Sequence, residues 1–383
     1  MSTVLISGAG IAGPTLAYWL AKHGFRVTVV ERGGEPRSSG NPVDVRGPAV
    51  PVAKRMGVMP RLRQAATGTT GVSFVDEAGR RVGRMDMRAF QKRDEVEVSR
   101  GDLASILYEA SRDHAEFLFD DSITALGQDG HGVDVTFERS APRRFDLVIG
   151  ADGLHSVTRR LTFGRETGTP QSGLVRHMGL YVATTPLGGG ATEGGRDVLM
   201  HNAPGRAVAV HPTSPGAFFL YRSPEEPGFD HRDTEQHKRM LTDAFADVSW
   251  RAPELLERVR AAGDLYFDSV SQVRLPRWWK GRVALLGDAA SCVSLFGDGS
   301  TLAMAGAFTL AEALAVHPGD PGAAFRRYEA AHRRLVDPKQ RNVAQASALL
   351  VPATRGGILA RNLATRLWPA MAAATRLKHA LTR

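Results

Sequence analysis

A chain of 383 residues, 43% of them hydrophobic, is long for one core, so two domains are expected, with apolar content enough for both. The net charge of +9 sits on dispersed arginine pairs such as Arg80-Arg81, Arg143-Arg144 and Arg326-Arg327, without interleaved aromatics or a reading motif, which argues against nucleic-acid binding. The lone Cys292 excludes an intrachain disulfide, no apolar run reads as membrane-spanning, and the N-terminus opens directly on a strand with no room for a signal peptide; a cytoplasmic protein without integral membrane contact is expected.

Residues 3–7 read as a short buried strand, followed at once by Gly8-Ala9-Gly10-Ile11-Ala12-Gly13, a complete G-x-G-x-x-G. Residues 14–23 carry helical spacing, and a second strand over 26–30 delivers Glu31 and Arg32. Inside such a βαβ unit the three glycines do different things. Gly8 makes the tight turn, Gly10 lets backbone approach a pyrophosphate, and Gly13 lets helix pack on strand. The helix start at Ile11 and Ala12 offers free N–H groups to phosphates, and Glu31 stands where a carboxylate grips a ribose hydroxyl and disfavours a 2′-phosphate. The bound nucleotide is therefore expected to be FAD or NAD.

Residues 72–76 and 80–85 read as a hairpin around Glu77-Ala78-Gly79. A short strand then places Arg100 before a helix through Leu103, Ile106 and Leu107, suiting either a nucleotide phosphate or a surface ion pair. A strand over 146–150 leads into Ala151-Asp152-Gly153 and a helix capped near Ser156. Strand-like runs at 180–184, 198–201, 207–211 and 217–222 suggest a mostly antiparallel sheet, interrupted by a glycine-rich loop at 188–195. His177, Met200, His211 and Tyr221 are its pocket candidates, although packing roles suit each of them as well. Residues 282–286 form another buried strand that delivers Gly287 and Asp288, and Asp288 can accept hydrogen bonds from a polyhydroxyl linker such as the ribityl chain of FAD, which NAD lacks. Gly299, Ser300 and Thr301 open a helix whose N-terminus suits the negative charge of reduced flavin. The basic, helical tail is broken at Pro352 and Gly356-Gly357.

The expected fold is α/β: a Rossmann-like FAD-binding domain of the βαβ type with an added β-meander (residues 1–71, 96–172 and 276–340), a mostly antiparallel sheet substrate domain (72–95 and 173–275), and C-terminal helices (341–383) covering the FAD domain. No metal-ligand spacing and no G-x-S-x-G occurs.

The glycine loop with Glu31, Val43-Asp44-Val45-Arg46-Gly47-Pro48-Ala49, Arg100 before its helix, Gly150-Ala151-Asp152-Gly153 and Gly287-Asp288 together resemble the single-component flavin monooxygenases of the para-hydroxybenzoate hydroxylase family, in the branch of tetracycline-inactivating and antibiotic-tailoring enzymes. The resemblance implies FAD, external NAD(P)H, O2 and an aromatic or polycyclic substrate hydroxylated through a flavin C4a-hydroperoxide, in a monomer or homodimer. It also implies that Arg46 and Arg100 lie near FAD and that the Asp152 segment serves flavin and nicotinamide. One departure stands out. The family's Gly-Asp-Ala-Ala continues through His or Tyr into a proline loop, whereas this chain reads Ser291-Cys292-Val293-Ser294-Leu295-Phe296 with no proline. Leu295 and Phe296 are further pocket candidates, and the change keeps open an oxidase, reductase or Baeyer–Villiger enzyme, or a ligand-binding protein on a flavin fold.

Overall fold

The computed structural model describes residues 1–35, 42–89, 91–164, 174–187, 195–212, 216–293, 298–341 and 343–366. They fall into two compact units, one of residues 1–66, 94–178 and 271–343, the other of 67–93, 179–270 and 344–383.

In the first unit, β1 (Thr3–Ser7) is followed by α1 (Ala12–Lys22) and β2 (Arg26–Val30). Next come β3 (Val43–Val45), β4 (Val96–Val98), α2 (Arg100–Ser111) and β5 (Glu116–Leu118). After β6 (Leu147–Gly150) and α3 (Val157–Phe163), the unit closes with β7 (Trp279–Lys280), β8 (Val283–Leu285), α4 (Asp298–Val316) and α5 (Pro321–Arg341). The sheet order is β7-β8-β6-β1-β2-β5, parallel except where β7 joins β8. Central parallel strands are covered on both faces and read as unbroken apolar runs, and Val4 through Ser7 are all buried. Alternation assigns the two faces. Val4 and Ile6 pack in the core that includes Leu16 of α1 and Leu310 of α4, while Leu5 and Val148 pack beneath Val133, Val135 and Phe137. Those last three residues belong to an antiparallel meander of Ile123–Gln128, Val133–Phe137 and Arg143–Phe145.

Contrary to the sequence expectation, α4 is long and apolar enough to cross a membrane, but most of it is buried within the protein. Its all-round apolar character is that of a core helix.

The second unit is built on a seven-stranded sheet in the order Tyr266–Val273, Val175–Pro186, Gly216–Arg222, Arg206–Val210, Asp197–Ala203, Gly71–Val75, Arg81–Asp86. One junction, Asp197–Ala203 with Gly71–Val75, is parallel. Phe219 and Tyr221 face the helices Thr234–Phe245 and Ala252–Ala261, packing with Leu241, Phe245 and Leu255. The register sets Met200, Ala209, Phe218 and Thr184 in one row on the opposite face.

The tail departs from expectation. It groups with the second unit, and its described part closes on that unit's sheet: Asn202 Nδ2 donates to the Leu350 carbonyl (2.9 Å), Arg222 Nε to the Val351 carbonyl (2.7 Å), and the Arg361 guanidinium lies 3.7 Å from the Phe74 ring centroid. The tail's broken carbonyls need donors at just the point where the helix stops at Val351, and Arg222 of the sheet supplies them.

Candidate functional site

At the end of β1 the chain turns through Gly8, whose φ of +108° and close approach to the Ala151 carbonyl, 2.5 Å from where a Cβ would sit, admit no side chain. A Cβ on Gly13 would collide with the Gly8 carbonyl, so this glycine lets α1 pack on the turn. Gly10 is different: it is exposed, and nothing lies within 4 Å of a Cβ built there. Space is kept beside Gly10 and not needed by the fold. Ile11 caps α1 without a side-chain hydrogen bond and Ala12 is buried behind it, so among the described residues no side chain caps the first-turn N–H groups. Glu31 closes the loop from the other side, accepting the Ala9 N–H through Oε2 (2.8 Å) and the Gly33 N–H through Oε1 (2.9 Å). Arg32 is exposed in the turn that follows.

Two other strand ends reach the same edge of the sheet. Beyond β8, the Leu286 N–H donates to the Gly150 carbonyl (2.8 Å), and Gly287, at φ +62°, has its Cβ position 3.4 Å from the Ala12 methyl. Asp288 then opens the short helix Asp288–Ser291, and one of its carboxylate oxygens lies 3.9 Å from the Cβ position of Gly299 in the first turn of α4. The glycine turn, the Gly287-Asp288 strand end and the start of α4 therefore converge.

Asp152 lies after β6, but its carboxylate is engaged in the local fold: Oδ1 accepts the Ser156 hydroxyl, and Oδ2 accepts the Thr158 N–H (2.9 Å) and hydroxyl (3.0 Å). It fixes the start of α3. Arg159 on that helix is 1% exposed and gives Nη1 to the Ala289 carbonyl (3.0 Å) and Nη2 to the Leu154 carbonyl (2.6 Å), and burial pushes its pKa down to about 10. A buried arginine thus ties two of the converging loops together. In the sequence it is indistinguishable from the exposed arginine pairs, so sequence reasoning misses it.

Arg46 and the start of α4 form an ionic cluster. Arg46 holds Asp298 Oδ1 (2.8 Å) and Asp44 (3.1 Å), and Lys339 holds Asp298 Oδ2 (3.0 Å). The Ser300 and Thr301 hydroxyls both donate to the Asp44 carbonyl, at 2.6 and 3.0 Å, while Thr301 Oγ1 accepts the Arg46 N–H (3.2 Å). These hydroxyls serve to seat α4 on β3. Burial pushes the Asp44 carboxyl up to about 6, against the lowering by Arg46 and helped by Glu97, Asp298 and Glu95. Nothing local in the sequence marks Asp44 and Asp298 as partners, because their proximity depends on pairs 252 or more residues apart. Arg100 is exposed on the first turn of α2, behind the Ser99 cap, which accepts the Asp102 N–H (3.0 Å).

The pocket candidates do not form one group. Met200 is buried in the row opposite the helices, and the His211 imidazole meets the Thr69 hydroxyl (3.1 Å). Tyr221 belongs to the helix-packed core, stacked on Tyr181 at 5.6 Å, where burial raises its phenol above the usual range. His177 sits near the start of Val175–Pro186. Leu295 and Phe296, with most of the 188–195 loop, lie outside the described residues.

The profile of a family described as FAD binding domain matches residues 1–336. A flavin-dependent monooxygenase of Legionella longbeachae is 35% identical over 345 residues, covering 88% of this chain and 87% of the relative. The chain belongs to the FAD binding domain family of flavin-dependent monooxygenases. An uncharacterized protein of Mycobacterium tuberculosis is also similar, at 39% identity over 359 residues and 89% and 92% coverage. Among solved structures, the tetracycline destructase Tet(55) superposes with a TM-score of 0.81 at 32% identity, covering 95% of this chain and 96% of that one. The family's cofactor fits the geometry found here, because the open space at Gly10 and the uncapped start of α1 form a cradle that the fold itself leaves empty of side chains.

Proposed function

We propose that this chain takes electrons from NADH or NADPH and uses O2 to hydroxylate an aromatic or polycyclic small molecule, in natural-product tailoring or antibiotic modification. The observation that carries the reading is the convergence of Gly10, Glu31, Asp288 and the start of α4 at one edge of the parallel sheet. Gly10 and the Ile11–Gly13 N–H groups would receive the FAD pyrophosphate, Glu31 the adenosine ribose, and Asp288 the ribityl hydroxyls. Arg46 and Arg100 carry positive charge towards the same cofactor. The flavin, when bound, supplies the hydride acceptance and oxygen activation. The chain's part is to bind, orient and shield it.

Asp298 brings a carboxylate to the first turn of α4, where Arg46 and Lys339 neutralise it. Those two cations offset the carboxylates of Asp298 and Asp44, so that the N–H groups of the helix start can serve an electron-rich cofactor edge. A polycyclic substrate is favoured by the likeness to tetracycline destructases at 31–32% identity over 95% of the chain.

The test is oxygen uptake by the purified protein with NADH or NADPH and a panel of phenols and tetracycline-like polycycles. Substrate-dependent NAD(P)H oxidation with oxygenated product supports the proposal. Turnover that releases only hydrogen peroxide whatever the substrate would mark an oxidase, and binding without turnover a ligand-sequestering protein.

A further inference from the structure

A cavity of about 280 Å3 lies within the first unit, and no residue of the glycine turn lines it. Its walls are residues 273–275 and Trp278, one face of α5 carrying Arg333, Asp337 and Arg341, and Ser291. The i, i+4 spacing of these three α5 residues puts them in one row. Ser291 is buried and small, and a histidine or tyrosine at this position would fill that end of the space.

The arginines are anchored but not spent. Arg333 donates through Nε to Glu329 (2.9 Å) and through Nη2 to the Leu275 carbonyl (2.8 Å), with its guanidinium 4.5 Å from the Trp278 ring centroid. Arg274 donates through Nε to Gln272 (3.1 Å) and through Nη2 to the Gln340 carbonyl (3.4 Å). Among the described residues neither Nη1 has an acceptor, and the Arg341 side chain makes no ion pair or hydrogen bond. Three guanidiniums face the two carboxylates of Glu329 and Asp337, so the lining keeps a surplus of positive charge.

We propose that this cavity binds a compact oxyanion of the phosphate or diphosphate class, held by Arg274, Arg333 and Arg341. Guanidinium forks match tetrahedral oxyanions by geometry as well as charge, and two of these three are oriented in advance by backbone carbonyls and an aromatic face. The space corresponds to roughly nine water volumes, room for a phosphate or diphosphate group but not a whole dinucleotide. The group could be free or carried on the end of a nucleotide.

Isothermal titration of the full-length, flavin-loaded protein at constant ionic strength, with inorganic phosphate, pyrophosphate and 2′,5′-ADP, separates these sources. Saturable one-site binding is expected. Tighter uptake of 2′,5′-ADP than of pyrophosphate assigns a nucleotide-borne phosphate, and the reverse order a free one. Arg341→Ala, an exposed position, should weaken binding about tenfold or more, and Ser291→Tyr should abolish it. Arg334→Ala, exposed on α5 but outside the cavity, should change nothing. The flavin absorbance of each variant reports that the fold is intact. Absence of saturable binding to all three ligands, equal losses in Arg334→Ala and Arg341→Ala, or unchanged binding in Ser291→Tyr would each overturn the proposal.

Discussion

One carboxylate oxygen of Glu31 accepts the backbone N–H of Ala9 at 2.8 Å. The acid at the end of β2 therefore braces the glycine turn, and its other oxygen holds Gly33. Glu31→Ala removes two charge-assisted acceptors, and FAD binding should weaken by about 1.5–3 kcal/mol. Glu31→Gln, which keeps one acceptor oxygen, should lose less. Titration of apoprotein with FAD by flavin fluorescence checks the order, and equal affinities in all three proteins would remove Glu31 from the site.

The glycines of the turn should separate into two classes. Gly13→Ala collides with the Gly8 carbonyl and should lower the melting temperature of the apoprotein, with a loss of about 1–3 kcal/mol from overpacking. Gly10→Ala meets nothing in the fold, so the apoprotein should keep its stability while FAD affinity falls. Thermal melts with and without FAD distinguish them. A Gly10→Ala protein with full FAD affinity would show that the space beside Gly10 is not the pyrophosphate site.

Asp44 gives a pH dependence of defined sign. Its carboxyl is raised by burial to about 6, so the folded state holds the proton more firmly than the unfolded chain does. That contribution is fully favourable below about pH 4 and is lost as pH rises through 6. Compared with Asp44→Asn, the native chain should lose about 2–3 kcal/mol of stability across that interval. Denaturant melts of both proteins from pH 4 to 7 measure the difference, and parallel pH profiles would contradict it.

His332 carries the opposite sign. It is buried against Tyr328, neither ring nitrogen has a hydrogen-bond partner among the described residues, and burial lowers its pKa to about 4. The unfolded chain takes up a proton near pH 6.5 that the folded protein refuses, so stability falls as pH drops from 6.5 towards 4, by about 3 kcal/mol at the end of that range. His332→Leu should flatten this slope. A variant as acid-sensitive as the native chain would place the sensitivity elsewhere.

What can be read directly from the sequence is local. The glycine turn, its helix and Glu31 lie within 24 residues of chain, and the part each glycine plays follows from neighbours a few positions away. Gly287-Asp288 is legible because a buried parallel strand must end at the ligand edge of its sheet. Arg159 is not, since its acceptor on Ala289 is 130 positions distant and nothing local distinguishes it from the exposed arginine pairs. Ser300 and Thr301 fall at the expected helix start, but their bonds to the Asp44 carbonyl cross 256 and 257 positions of sequence. Tyr221 shows the limit of alternation, which separates two faces without saying which one the helices cover. The tail shows the same limit for an amphipathic helix, whose apolar face does not name its partner.

The most direct measurement is product analysis after turnover under 18O2 with NAD(P)H and a tetracycline-like polycycle, alongside FAD released by denaturing the purified protein. We expect one FAD per chain and one 18O atom in the product for each NAD(P)H spent on coupled turnover, with hydrogen peroxide accounting for the remainder. A protein that takes up no FAD, or one that oxidises NAD(P)H while every phenol and polycycle is recovered unchanged and all oxygen appears as hydrogen peroxide, would contradict a monooxygenase.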